Sequence, residues 1–109
     1  MKEVFWTRPA ENDLKAIFDF LTEARGWKDE KVFAIIDKII EKVGTLETNF
    51  PGVGQVEPLL ESKDRKYRYL IEDTYKIIYS YEENTIYIHM VFDTRQNPDK
   101  VRGRFEGSD

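Results

Sequence analysis

Residues 67 to 92 read YRYLIEDTYKIIYSYEENTIYIHMVF, and this stretch decides the class of fold. Aromatic and β-branched residues fill three runs within it, at 67–71, 75–81 and 86–92, and short polar segments separate the runs. Apolar runs between tight polar turns are typical of antiparallel strands. The stretch therefore predicts an antiparallel meander of three strands.

The last of these strands is expected to have two faces of different character. Period-two alternation places four apolar side chains on one face, namely Ile86, Ile88, Met90 and Phe92. We expect this face to cover the helices. The other face carries Tyr87, His89 and Val91, and its aromatic and polar character is typical of a partly exposed binding surface.

Two amphipathic helices are predicted before the meander. Apolar residues recur at intervals of three or four from Ala10 to Ala24 and from Val32 to Leu46, which is typical of helices that pack on a core. The second helix is predicted over about residues 28–46, and Gly26 is placed to end the first. Because only a few residues separate them, we expect an antiparallel helical hairpin. A coiled coil is the alternative, but fewer than three heptads in each helix favour core-facing helices.

The remaining segments complete the expected fold. Val4–Trp6 is a short β-prone run, residues 49–55 form a turn-rich loop, and Asn97-Pro98 is typical of the start of a short C-terminal helix. The expected order is β-α-α-β-β-β, an α+β fold with the helical hairpin packed on a small, mostly antiparallel sheet. Because 109 residues cannot hold two independent cores, residues 1–109 are expected to form a single domain.

The composition indicates a cytoplasmic protein without metal chemistry. The chain has no cysteine and one histidine, His89, and its carboxylates show no recognised ligand spacing, so no metal or other cofactor is expected. A domain this small without disulfides is typical of a reducing, intracellular location. Residues 1–8 hold only a brief apolar run, which is neither a signal peptide nor a membrane span, so no membrane partner is expected.

The basic residues are unevenly distributed in a chain of net charge -4. Two stretches hold eight of the 17 lysines and arginines: Lys63, Arg65, Lys66 and Arg68, and then Arg95, Lys100, Arg102 and Arg104. The overall acidic balance argues against indiscriminate binding of nucleic acid. The two stretches either form one positive patch in the folded chain or are separate solvated charge runs.

Four motifs, in order, resemble the RelE/ParE superfamily of toxins across nearly the whole chain. They are Ala10-Glu11-Asn12-Asp13-Leu14-Lys15-Ala16-Ile17, Pro51-Gly52-Val53-Gly54, Arg68-Tyr69-Leu70 with Tyr75-Lys76-Ile77-Ile78-Tyr79, and Phe92-Asp93-Thr94-Arg95-Gln96-Asn97-Pro98. The resemblance implies a toxin of a type II toxin–antitoxin system, in which a short antitoxin wraps the toxin and masks its active surface. It also implies one of two activities, ribosome-dependent cleavage of mRNA or poisoning of DNA gyrase, and either a homodimer or a toxin–antitoxin hetero-oligomer.

Arg68 and Arg95 are the candidate functional residues, because they match basic positions that the family uses for phosphate. A salt bridge to Asp93 or Glu72 is the structural alternative for either arginine. The other basic and polar residues expected to contact the target are Lys63, Arg65, Lys66, Lys76, Gln96, Lys100, Arg102 and Arg104. The aromatic residues expected in an antitoxin groove are Trp6, Phe18, Phe20 and Trp27, since they exceed what one thin core needs.

The residues favour gyrase poisoning over RNA cleavage. After Arg95 the chain has neither the tyrosine nor the histidine that cleaving members carry near the C-terminus. His89 could act as a general base, but a histidine in the middle of a strand is more often a packing or hydrogen-bonding residue. Most of the tyrosines are expected to pack across the sheet, and a triad of Ser80, His89 and Asp93 lacks a nucleophile turn. A non-toxic binding module of the same fold is a third interpretation.

Overall fold

The computed structural model describes residues 3–49, 55–56 and 67–105. In chain order its elements are β1 Glu3–Trp6, α1 Arg8–Asp19, a π-helical turn Phe20–Ala24, α2 Asp29–Gly44, α3 Leu46–Asn49, β2 Gln55–Val56, β3 Arg68–Glu72, β4 Tyr75–Glu82, β5 Thr85–Asp93 and α4 Asp99–Phe105. No helix of the described residues is long and apolar enough to cross a membrane.

Local interactions explain where α1 begins and ends. The hydroxyl of Thr7 accepts a hydrogen bond from the amide of Ala10, and Pro9 occupies the first turn, where its missing N–H is not needed. At the other end the amide of Arg25 donates to the carbonyl of Phe20, which produces the π-helical turn. Gly26 follows with φ of +68°, so the prediction that this glycine ends the helix is confirmed.

The strands form one mixed sheet in the order β1-β5-β4-β3-β2. The predicted meander is confirmed, since β4 pairs antiparallel with both β3 and β5. Beside it, β1 pairs in parallel with β5. The short strand β2 pairs antiparallel with β3 and begins at Gln55, which had been predicted as the last residue of a loop. Pro51-Gly52-Val53-Gly54 lies outside the described residues.

A β-bulge at His89 changes the predicted faces of β5. Tyr79 is opposite Ile88 while Ile78 is opposite Met90, so His89 is the extra residue. Ile86, Ile88 and Val91 therefore lie in the cluster beneath the helices. The prediction that Met90 and Phe92 share that face is wrong, because one inserted residue reverses the alternation beyond it.

The core has two layers, one on each face of the sheet. The larger cluster packs α1, α2 and α3 on the sheet through Ala10, Ile39, Leu46 and Ile88. The smaller cluster lies under α4, where Val101 and Phe105 cover Ile78, Met90 and Phe92. The predicted start of a C-terminal helix at Asn97-Pro98 is confirmed, since α4 begins at Asp99 and the side chain of Asn97 accepts from the amide of Asp99 at 2.9 Å. By reversing the alternation, the bulge turns Met90 and Phe92 toward α4, which packs on them.

Candidate functional site

A cleft of about 490 Å³, here called the C-terminal cleft, lies where α1, the end of β5 and α4 meet. Six residues that define its walls are Asp13, Ile17, Phe20, Asp93, Lys100 and Arg104. The cleft thus brings together the first helix and the segment from residue 93 to residue 104, which are distant in sequence.

Asp13 and Arg104 form the inner wall of the cleft. The two side chains make a paired ion bridge, in which Arg104 Nη2 donates to Asp13 Oδ1 at 2.6 Å and Nη1 donates to Oδ2 at 3.1 Å. Asp13 also accepts from the amide of Val91, and Arg104 also donates to the carbonyl of His89. Since a bulge disrupts the local ladder, these two side chains supply partners for backbone groups next to it. The pair therefore fixes α1, β5 and α4 to one another.

Asp93 lines the cleft, and Arg95 beside it binds the carboxylate of Asp93. The guanidinium of Arg95 donates from Nε and Nη2 to the two carboxylate oxygens of Asp93 at 2.9 and 2.6 Å, and the amide of Arg95 donates to the same carboxylate. These hydrogen bonds to Arg95 hold the pKa of Asp93 below its ordinary value, against the effect of burial. The salt bridge considered as the alternative for Arg95 is therefore present. The arginine side chain is still 61% exposed, so the bridge orients it without burying it.

The charges within and beside the cleft leave a small positive excess, since Lys100, Arg104, Arg95 and Arg25 stand against Asp13, Asp93 and Asp73. Arg104 neutralises Asp13 and Arg95 neutralises Asp93, whereas no carboxylate in the described part of the chain pairs with Lys100 or Arg25. Lys100 donates to the side chain of Gln96 at 3.2 Å. Arg25 lies with its guanidinium carbon 5.4 Å from the ring centroid of Phe20.

Arg68 lies at a different level of the sheet from Arg95. Arg68 is opposite Tyr79, whereas Asp93 is opposite Tyr75, so four residues of β4, about 13 Å, separate the two levels along the strands. Burial raises the pKa of Tyr79 to about 12, and the charge of Arg68 acts in the opposite direction. The Nε of Arg68 is buried, with no hydrogen-bond partner among the described residues, and its guanidinium lies 6.0 Å from the ring centroid of Tyr81. The structure does not bring the two candidate arginines into one site.

His89 belongs to an aromatic cluster on the α4 side of the sheet. Its Nε2 is 2.6 Å from the hydroxyl of Ser80, which is buried. Its ring packs edge-on against Tyr67 and Phe105. This confirms the packing and hydrogen-bonding interpretation of His89. A triad with Asp93 does not form, because the carboxylate of Asp93 is bound by Arg95 at the cleft.

A family model described as "ParE toxin of type II toxin-antitoxin system, parDE" matches residues 4–98. The chain belongs to the ParE toxin family. A solved structure described as "Chromosomal ParDE TA system from P. aeruginosa" has a TM-score of 0.69 at 22% identity, over 85% of this chain and 96% of that one. It shows the same fold, which confirms the predicted α+β class, and no curated protein matches the chain.

Within this ParE-family fold, the residues expected to contact the target fall into three groups. Gln96, Lys100 and Arg104 line the C-terminal cleft. Arg102 lies on the exposed side of α4 in an ion pair with Asp99, and Lys76 lies on β4 with its Nζ 4.4 Å from the ring centroid of Tyr69. Lys63, Arg65 and Lys66 lie outside the described residues. Whether the two basic stretches form one patch therefore stays a prediction.

The four aromatic residues expected in an antitoxin groove occupy four different environments. Phe18 packs on Phe33 and lines a groove of about 400 Å³ between α1 and α2, here called the helical groove. Phe20 lines the C-terminal cleft. Trp6 packs against the main core, and Trp27 is half-buried beneath Lys31, whose Nζ is 4.0 Å from the ring centroid. The role of Trp6 and Trp27 at an antitoxin interface stays a prediction.

Three residues of these surfaces were not among the predicted site residues. Asp13 belongs to the first of the four motifs, but nothing local signals that its carboxylate binds Arg104, 91 residues away. Arg25 had no role in the predictions because the π-helical turn that places it beside Phe20 has no sequence signature. Phe33 lies beside the apolar stripe of α2 and is 53% exposed.

Proposed function

We propose that this chain is the toxin of a type II toxin–antitoxin pair and that it acts by binding and poisoning DNA gyrase. Membership of the ParE family supports the toxin assignment. The observation that favours target binding over RNA cleavage is the separation of the candidate catalytic groups.

Cleavage of RNA needs a base at the ribose 2′-hydroxyl, a cation at the phosphate and an acid at the leaving oxygen, all at one scissile bond. In the described residues, Arg68 and Arg95 lie at different levels of the sheet. His89 is bound to Ser80 within an aromatic cluster on the α4 side. These groups do not converge on one point, whereas poisoning of a target by binding does not require convergence.

Arg95 is the residue on which we expect the activity to depend. Asp93 holds the exposed guanidinium of Arg95 in a fixed orientation. An arginine held in this way loses little rotamer entropy when it binds a target. We expect Arg95→Ala to abolish toxicity. The midpoint of thermal unfolding should move by less than about 5 °C, since an exposed ion pair contributes at most about 1 kcal/mol.

The test is a supercoiling and DNA-cleavage assay with purified gyrase and the purified chain. The unmodified chain should stabilise cleavage complexes, Arg95→Ala should not, and Arg8→Ala, which removes an exposed arginine at the start of α1, should behave as the unmodified chain. If gyrase is unaffected at a large molar excess, the proposed function is wrong. Codon-positioned cutting of mRNA on ribosomes is then the next measurement, and failure of the chain to slow growth supports a non-toxic binding module.

We also infer that a cognate antitoxin covers the helical groove. Leu14, Phe18 and Ile36 line it, and Phe33 beside them is more than half exposed. Apolar side chains in a groove between two helices suit the apolar face of an amphipathic helix. Pull-down of the co-expressed neighbouring gene product, compared between the unmodified chain and Phe33→Glu, tests this inference.

A further inference from the structure

We propose that the C-terminal cleft is a docking surface separate from the helical groove, and that it binds an acidic segment of the target protein that carries a large apolar anchor. This inference rests on the proposed function, because the target used to test it is gyrase. It adds the chemistry of the segment that is recognised and the residues that recognise it. Three observations carry it: the two flanks of α1, the charge at the cleft and the exposed ring of Phe20.

Helix α1 separates the two surfaces. Asp13 and Ile17 project into the C-terminal cleft, whereas Leu14 and Phe18 line the helical groove. Side chains four residues apart lie on the same face of a helix, whereas side chains adjacent in sequence do not. The pair Asp13 and Ile17 and the pair Leu14 and Phe18 therefore occupy different flanks of α1. A partner in the helical groove therefore contacts one flank of α1 and leaves the other to the cleft.

The small positive excess of charge in and beside the cleft is opposite in sign to the net charge of the chain. The chain carries a net charge of -4. At the cleft, Asp13 and Asp93 are bridged by arginines, and a third carboxylate, Asp73, acts on Arg95 from nearby. Lys100 in the cleft and Arg25 beside it have no carboxylate partner in the described part of the chain, which leaves a small positive excess. A positive surface on an acidic protein attracts carboxylates of a partner and steers their approach. Duplex DNA fits less well, because Asp13 and Asp93 lie in the same cleft and many phosphates would need many more cations.

The apolar part of the cleft is the wall formed by Phe20 and Ile17. The ring of Phe20 is 48% exposed beside the guanidinium of Arg25, at the π-helical turn that ends α1. An exposed aromatic ring flanked by cations is the kind of position where interface energy concentrates, since it buries apolar area while the charges orient the partner. An aromatic or aliphatic side chain of the partner can pack on this ring while flanking carboxylates reach Lys100 and Arg25.

Charge reversal gives the first arm of the test. Lys100→Glu should weaken binding of the gyrase holoenzyme by about tenfold or more, and raising the salt concentration should weaken binding by the unmodified chain more than by the variant. Lys38→Glu is the matched control, because Lys38 is an exposed lysine in α2 that lines neither surface. Phe20→Ala should also weaken binding, without changing the salt dependence. Equal affinity of Lys100→Glu and Lys38→Glu would overturn the proposal.

Cross-linking gives the second arm and separates this inference from the proposed function. Since the chain has no cysteine, Gln96→Cys and Lys38→Cys each accept one photo-cross-linker at a known position. The label at position 96 should capture an acidic segment of gyrase, identified by mass spectrometry, and the label at 38 should not. If gyrase is poisoned but the position-96 label captures DNA, a basic segment or nothing, the inference is wrong and the proposed function stands. If the unmodified chain does not bind gyrase, both are wrong.

Discussion

At the scale of single residues, Asp13 shows how one side chain can join three elements. Its carboxylate accepts from Arg104 of α4 and from the amide of Val91 beside the bulge, and both charged side chains are mostly buried. We expect Asp13→Ala to lower the free energy of unfolding by about 2–3 kcal/mol, since it leaves a buried guanidinium without a counter-ion. Arg102→Ala removes an exposed ion pair and should change that free energy by less than about 0.5 kcal/mol. Urea denaturation measures both, and equal effects would show that Asp13 has no special role.

Asp93 gives a prediction in pH at the same scale. Its pKa in the folded chain is lowered by the hydrogen bonds from Arg95, so the ionised carboxylate stabilises the fold at pH values above the ordinary aspartate pKa. That contribution is lost as the pH falls through the lowered value. The stability difference between the unmodified chain and Arg95→Ala should therefore be constant near neutral pH and decrease below about pH 4. An NMR titration should show a higher pKa of Asp93 in Arg95→Ala, and an unchanged pKa would contradict the assignment of its cause.

At the scale of elements, two glycines in helical context should respond oppositely to the same substitution. Gly26 follows the π-helical turn and has φ of +68°, whereas Gly44 is the last residue of α2. At either position an added Cβ would meet nothing within 4 Å. Gly26→Ala should lower the free energy of unfolding by about 1 kcal/mol, because alanine is strained at positive φ. Gly44→Ala should raise it by about 0.5–1 kcal/mol, because alanine loses less entropy in a helix. Thermal unfolding of the two variants measures the difference, and shifts of the same sign would contradict this account.

The elements themselves could be predicted from sequence because their signals are local. The strands β3, β4 and β5 follow from runs of aromatic and β-branched residues, and α4 follows the predicted start at Asn97-Pro98. The bulge at His89 could not be predicted, since no glycine or proline marks it and its backbone groups are satisfied by Asp13 and Arg104, which are distant in sequence. That single residue explains why Met90 and Phe92 pack with α4 in the smaller cluster and not in the larger cluster beneath α1 and α2.

The candidate site could be predicted in part for the same reason. Gln96, Lys100 and Arg104 are close in sequence and follow a strand, so their presence on one surface was accessible from the pattern. The opposite wall, with Asp13 and Phe20, depends on how α1 crosses the sheet, which is a property of tertiary packing. Arg68 and Arg95 were candidates because they match basic positions of the family that the chain resembles, and the registers of β3 with β4 and of β4 with β5 place them apart.

At the scale of the whole molecule, α1 is the wall that two proposed binding surfaces share. It packs on the core through Ala10, presents Phe18 to the helical groove and presents Ile17 to the C-terminal cleft. The Asp13–Arg104 bridge fixes α1 against β5 and α4. A partner that binds in the helical groove therefore contacts a helix that is held in place on its opposite side. A small domain can in this way expose two surfaces while keeping one rigid scaffold.

The separation of the two surfaces predicts that neutralisation and toxicity can be lost independently. Phe33→Glu places a charge in the helical groove, so the antitoxin should no longer rescue growth, while the chain remains toxic. Lys100→Glu should do the reverse and abolish toxicity while the antitoxin still binds in a pull-down. Growth of cells that express each variant with and without the antitoxin measures both properties, with Lys38→Glu as the variant expected to keep both. If each of the first two variants loses toxicity and antitoxin binding together while remaining folded by circular dichroism, the two partners share one surface, and α1 does not divide them.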